Sequence, residues 1–254
     1  MGSGSLSNDD SSRNHPLTVA GVVAALDREA RVLGPAIQAM AGVEILAGGT
    51  LRATSGMGCA AAGIAARRLV EAGATALVSW GMAGGLDPDL PAGTICLPRE
   101  VVAPDGMRFA TAPPWRETLT VSVAGCRPVT SGALLTSLRP IAGVAAKAEA
   151  RRETGTVAVD MESSAVAEVA AASHVPFMAV RVIVDTAQDA IPSSVTAAGE
   201  SGQVRIARLL MGLARSPGEI VALIRLARRY RAAIRSLAAV AKLDRLGPPA
   251  MDRP

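Results

Sequence analysis

The sequence predicts an α/β fold: a three-layer sandwich around a central twisted, mostly parallel (mixed) sheet, followed by a basic amphipathic helix at the C-terminus. Three observations predict it. Short apolar runs rich in β-branched residues recur along the chain, as strands buried on both faces of a parallel sheet require. They alternate with helical segments, the order that lays helices over both faces of such a sheet. Half of the 254 residues are hydrophobic and 19% are charged, enough apolar material for one large domain of this kind.

The elements follow in order. Residues 17–25 (LTVAGVVAA) read as a buried strand. Asp27 to Met40 reads as a helix with Asp27 as its cap. Leu51 to Thr54 reads as a strand, Ser55-Gly56-Met57-Gly58 as a tight turn, and Cys59 to Ala72 as an Ala-rich helix ended by Gly73. Ala76 to Trp80 is a further strand, after which Gly81 to Leu86 (GMAGGL) reads as a glycine-rich loop. Thr94 to Val102 and Arg127 to Ser131 read as strands. Val157 to Val159, a helix from Met161 to Ser173, and Phe177 to Val184 close the body as a strand–helix–strand unit. Residues 1–16 are small and polar, a flexible lead-in without the basic start and apolar middle of a secretory signal. The body spans 17–215, the basic helix 216–245, and a flexible tail 246–254.

Composition excludes several classes of function. Cys59, Cys96 and Cys126 are far apart, without a CxxC pair, and His15 and His174 are the only histidines, so neither a disulfide framework nor a Cys/His zinc site is available. The usage fits a reducing cytosol. Phe109, Phe177, Trp80, Trp115 and Tyr230 are scattered, which argues against a base-stacking surface and against nucleic acid as partner. No apolar run reaches the roughly 18 residues of a membrane span. The net charge of +4 is unevenly placed: ten basic residues against Glu219 and Asp244 lie between Arg205 and Arg245, so the remainder is acidic. Neither a GxGxxG fingerprint nor a P-loop occurs, which weighs against a nucleotide-binding oxidoreductase.

In sheets of this type ligands bind beyond the carboxyl ends of the strands, and three acids are sent there. Glu29 lies just past the first strand, Glu162 opens a helix after Val157–Val159, and Asp185 ends the run RVIVD. Each has a plain reading as a solvated helix-start acid or a cap. Together they suit cleavage of an N-glycosidic bond, which needs an acid for the leaving base, a carboxylate on the ribose hydroxyls and a group that handles the nucleophile, around an oxocarbenium-like transition state. The glycines at Gly81 to Gly85 would let a flat ligand approach bare backbone.

Six motifs, VAGVVAALDREARVL (Val19–Leu33), SGMG (Ser55–Gly58), GMAGGL (Gly81–Leu86), SGALL (Ser131–Leu135), VDMESSAVA (Val159–Ala167) and RVIVD (Arg181–Asp185), occur in order. They resemble the signatures of the purine nucleoside phosphorylase and methylthioadenosine/S-adenosylhomocysteine nucleosidase superfamily. The resemblance implies a nucleoside phosphorylase-like catalytic domain. It implies that Asp185 serves the purine at its N7 side, that Glu162 and Met161 hold and line the ribose, and that Glu29 orients the attacking water of the hydrolytic branch. Leu135 falls where that branch has an aromatic beside the base, and Ala83 and Gly84 fall in the loop touching base and ribose. Where hexameric phosphorolytic relatives carry an arginine and a serine, this chain has Ser79 and Met82, which departs from a conventional phosphate site. The turn Ser55, Gly56 and Gly58, with Arg28, is the candidate anion site. No metal or organic cofactor is implied; inorganic phosphate is the one candidate co-substrate.

The tail adds to this. Ser216-Pro217-Gly218-Glu219 is a helix start, and Ile220, Leu223, Ile224, Ala227, Ile234, Leu237 and Ala241 form an apolar stripe beside Arg225, Arg228, Arg229, Arg231, Arg235 and Lys242. Such a helix packs on the body or a second subunit, or seeks anionic lipid as a peripheral contact through 216–245. An Arg-rich extension on this body resembles the hopanoid-associated phosphorylases, which implies phosphorolytic removal of adenine from lipid-linked adenosylhopane by a cytoplasmic homo-oligomer at the inner membrane face. The alternatives are a hydrolytic nucleosidase acting on 5′-substituted adenosines and a non-catalytic nucleoside-binding membrane adaptor.

Overall fold

Ala20–Ala24 form β1, buried at every position. A helix of only five residues, α1 (Asp27–Arg31), follows, and a helix continuing to Met40 is not what forms. Gly34 adopts φ +101° and Pro35 follows it, a pair that turns the chain out of the helix. The next residues instead make an antiparallel hairpin, β2 (Ala36–Met40) with β3 (Val43–Leu46). Leu26 occupies the cap position of α1 and Asp27 the first helical one; leucine has no capping oxygen, so the Glu29 side chain accepts from the Leu26 N–H instead (3.2 Å).

β4 (Leu51–Thr54), the Ser55–Gly58 turn and α2 (Cys59–Glu71) form as expected. β5 runs from Ala76 to Gly85, so the glycine-rich segment is strand and not loop. The reason is lateral pairing: Ala76–Trp80 pair with β1, and Gly84 and Gly85 pair with a later strand. The expected strand from Thr94 to Val102 is interrupted at Leu97-Pro98-Arg99, giving β6 (Ile95–Cys96) and β7 (Glu100–Val102). β8 (Arg108–Ala110) and α3 (Pro113–Val123) come next, then the short β9 (Val129–Thr130), β10 (Leu134–Thr136) and α4 (Val144–Thr154). β11 (Ala158–Asp160), α5 (Ser163–Ala172) and β12 (Phe177–Asp185) complete the body. Glu162 stands at the cap position of α5 and not within its first turn.

The structure, a computed structural model, describes residues 18–125, 127–191, 219–243 and 246–248. The expected flexible termini, and the helix start at Ser216-Pro217-Gly218, lie outside the described residues. The C-terminal helix itself is α6 (Glu219–Ala241). Among the described residues no helix is long and apolar enough to cross a membrane.

One mixed sheet carries the fold, in the order β2-β3-β4-β1-β5-β11-β10-β7-β8, with β12 on β5 and, beyond it, β6 and β9. The central pairs β4–β1–β5–β12 are parallel, and β11 joins β5 antiparallel. Helices cover both faces. α2 and α5 pack on one, where Ala62, Ala66, Leu69, Val166 and Ala170 meet Val23, Leu77 and Ala179. α3 and the end of α6 pack on the other, where Trp115, Leu119, Ala233, Leu237 and Val240 meet Val22, Trp80 and Val180.

Candidate active site

β12 is apolar except for Arg181 and the Asp185 that ends it. Arg181 is 1% exposed, and a buried guanidinium is tolerated only where carboxylates and acceptors surround it. Its Nε lies 2.9 Å from Asp160 Oδ2, and its Nη2 lies 3.6 Å from Glu162 Oε2. Nη2 also donates to Ser79 Oγ (2.7 Å) and Ser163 Oγ (3.2 Å), and Nη1 donates to the Met82 carbonyl (3.3 Å). Burial alone would lower the Arg181 pKa, but Asp160, Glu162 and Glu29 together push it up. A permanent cation is thus clamped at the strand centre. Asp160 is held in turn by Thr136, whose hydroxyl donates to Oδ1 (2.8 Å).

Glu29 reaches this cluster from the first loop. Its Oε1 accepts from the Met82 N–H (3.0 Å), and it is 3% exposed. Burial pushes its pKa up to about 7, against the opposing pull of Arg181. Glycine at 81 makes this close approach possible: a Cβ there would sit 2.8 Å from both Arg181 Nη1 and Glu29 Oε2. Glu162 accepts from the Gly58 N–H (2.9 Å) and the Met161 N–H (3.3 Å), and burial raises its pKa as well. Two acids of distant sequence position therefore meet around one arginine.

Asp185 stands on the same strand pair, further along. β12 pairs in register with β5, Arg181 opposite Gly81, until a bulge sets Asp185 opposite Gly84. The absence of a side chain at Gly84 matters, since a Cβ there would lie 3.2 Å from Asp185 Oδ2. The carboxylate is 4% exposed and accepts from the Nζ of Lys147, a wholly buried lysine of α4. Burial pushes the Asp185 pKa above the usual carboxylate range, and Lys147 pulls it back. Arg181, Asp160, Ser79 and Lys147 were not among the residues expected at the site.

Other expected residues are distributed around this core. Ala83 is buried on β5 beside Gly84, and Met161 is half-buried between Asp160 and Glu162. Leu135 packs with Leu86, Val102 and Val159, an aliphatic wall. Three donors of the Ser55 turn are already engaged: the Ser55 and Gly56 N–H groups bond the Ala24 and Ala25 carbonyls (2.9 and 3.1 Å), and the Gly58 N–H is taken by Glu162. Arg28 is exposed, and its charge opposes the rise that burial gives the Tyr230 phenol of α6. Among the described residues no group of His, Cys, Asp and Glu side chains is arranged to hold a metal ion.

A mixed sheet with a buried ionic cluster beside the carboxyl ends of β1 and β11 has the architecture of an α/β enzyme, in which ligand sites lie at that edge of the sheet. The chain belongs to the phosphorylase superfamily, whose family model matches residues 46–215. Similar solved structures agree in fold. The 5′-methylthioadenosine/S-adenosylhomocysteine nucleosidase of Neisseria meningitidis, in complex with methylthio-immucillin-A, is 21% identical with TM-score 0.67, covering 88% of this chain and 96% of that one. Futalosine hydrolase of Helicobacter pylori is 15% identical with TM-score 0.66, covering 89% and 98%. The nucleosidase of Campylobacter jejuni is 17% identical with TM-score 0.62, covering 77% and 95%. No curated protein is significantly similar to this sequence.

Proposed function

We propose that the protein cleaves the N-glycosidic bond of a purine nucleoside, with water as nucleophile and a 5′-substituted adenosine as substrate. The observation that carries this reading is Glu29: a buried carboxyl group, held by two backbone N–H groups beside Arg181 and poised near neutrality, is suited to take a proton from attacking water. Glu162 grips the ribose hydroxyls, and Met161 lines the sugar. Asp185 gives a proton to the purine at N7 as the C1′–N9 electron pair leaves with the base. Glu162, when ionised beside Arg181, favours the positive ribosyl transition state. Leu135, Ala83 and Gly84 flank the base. The solved relatives named above are nucleosidases and a hydrolase, which supports the hydrolytic reading over phosphorolysis.

Phosphorolysis of a lipid-linked nucleoside such as adenosylhopane is the second reading. The aliphatic Leu135 wall and the exposed basic residues Arg225, Arg228 and Arg231 of α6 favour it on the substrate side. The engaged N–H groups of the Ser55 turn weigh against a phosphate there. The test is release of adenine from methylthioadenosine, S-adenosylhomocysteine and adenosylhopane, with and without phosphate. Hydrolysis requires equal rates in phosphate-free buffer; strict dependence on phosphate makes the enzyme a phosphorylase. Asp185→Asn, assayed in protein shown by circular dichroism to be folded, should lower turnover by about 100-fold or more. Near-normal release by that variant would remove Asp185 from the chemistry.

A further inference from the structure

Lys147 is unusual in being a lysine without any exposure, on a helix whose other charged residues face solvent or the rim. Its three ammonium protons have three acceptors: the Asp185 carboxylate, the Thr186 carbonyl (2.8 Å) and the Asp189 carbonyl (3.0 Å). The lysine therefore joins α4 to the whole turn that carries Asp185. Burying an ammonium group costs several kcal/mol even when paired, so a purely structural role would be served as well by an apolar side chain. What an apolar side chain cannot do is fix a carboxylate and hold its charge.

We infer that Lys147 is the positioning residue for Asp185: it sets the orientation of that carboxyl group and how strongly it acts as an acid toward the departing base. The inference rests on the proposed function above and deepens it. A carboxyl group buried without a cation would keep its proton too firmly to release it, whereas an acid is most effective when its pKa lies near the working pH. Other charges face Asp185 as well. Arg229 of α6 pairs with Asp189, and the Asp189 carboxylate also accepts from the Thr186 N–H (2.9 Å) and hydroxyl (2.6 Å). Arg229 thus acts on Asp185 from behind a neutralising partner, while Lys147 touches it.

The decisive readout is the titration of Asp185, followed by carboxyl ¹³C resonance with Asp185→Asn supplying the assignment. Lys147→Met should move that titration up by about one unit or more, and Lys147→Arg should return it most of the way. In parallel, the pH at which adenine release from methylthioadenosine falls off on the alkaline side should rise in Lys147→Met, with kcat down about tenfold and KM little changed. An unmoved titration in folded Lys147→Met overturns the inference whatever the activity. If Lys147→Met does not fold, Lys147→Met/Asp185→Asn should fold, because it leaves no lone buried charge; failure of both marks Lys147 as packing only. Absence of turnover in the unmodified protein would strike the proposed function instead and leave the titration as the judge of Lys147.

Discussion

Glu29 becomes charged only against the resistance of its surroundings, and this makes its pH behaviour measurable in two ways. As a base it must be ionised, so kcat/KM should fall as pH drops through about 7. Stability should run the opposite way. The carboxyl titrates near 4.5 when exposed and near 7 in the fold, so its protonated form favours the native state. That contribution is complete below pH 4.5 and is lost as pH rises to about 7. The difference is worth about 3 kcal/mol at most. Glu29→Gln, which cannot ionise, should therefore gain stability relative to the unmodified protein between pH 5 and pH 8 while losing its activity. Parallel denaturant curves at those two values check this, and a constant difference between the two proteins would mean that Glu29 is not desolvated. The placement of Glu29 and Glu162 at the ligand edge was legible, because each follows a strand whose apolar run is plain. Arg181 was legible in principle: an arginine inside VRVIV, buried on both faces, demands carboxylates around it. Lys147 was not, since nothing in VAAKAEARRET marks one cation as inward-facing.

Elements were legible where periodicity and punctuation agreed. β1, β4, α2 and β12 stand close to where apolar runs and flanking glycines place them. They were misread where lateral pairing decides: a row of glycines reads as loop, yet β12 on one side and β11 on the other hold Gly84 in a strand. The hairpin of β2 and β3 was hidden behind a helical pattern that Gly34-Pro35 ends. α6 shows the same lesson in a helix. Its apolar stripe is continuous in sequence, but among the described side chains burial is found in the C-terminal half: Ala233, Leu237 and Val240 lie in the core, and the Ser236 hydroxyl donates to the Gly93 carbonyl (2.8 Å), whereas Ile224 is 51% exposed. The reading of a helix packed on the body therefore holds for that half. Leu237→Ala should destabilise by about 2–5 kcal/mol through the cavity it leaves, and Ile224→Ala should change stability by less than about 0.5 kcal/mol. Thermal or denaturant unfolding separates the two; equal effects would mean that the whole stripe is covered.

At the scale of the whole molecule, α6 joins segments that are distant in the chain. Arg229 pairs with Asp189 in the turn after β12, and Arg28, next to Glu29, lies near enough to the neighbouring Tyr230 for its charge to lower the phenol pKa against the push of burial. The last helix thus pairs with the turn after Asp185 and stands near the loop that carries Glu29. These contacts are partly exposed, with Arg229 27% accessible, so solvent screens them and their contribution to global stability is small. Their effect on geometry need not be small, because a reacting group displaced by about 1 Å can lose about 100-fold in rate. The double variant Arg229→Ala/Tyr230→Phe should accordingly unfold within about 1 kcal/mol of the unmodified protein. Its kcat/KM for adenine release should nonetheless fall severalfold, and the loss should exceed that of Arg225→Ala, an exposed basic residue on the same helix. If all three proteins turn over alike, α6 serves the fold alone and the pocket is organised by the sheet without it.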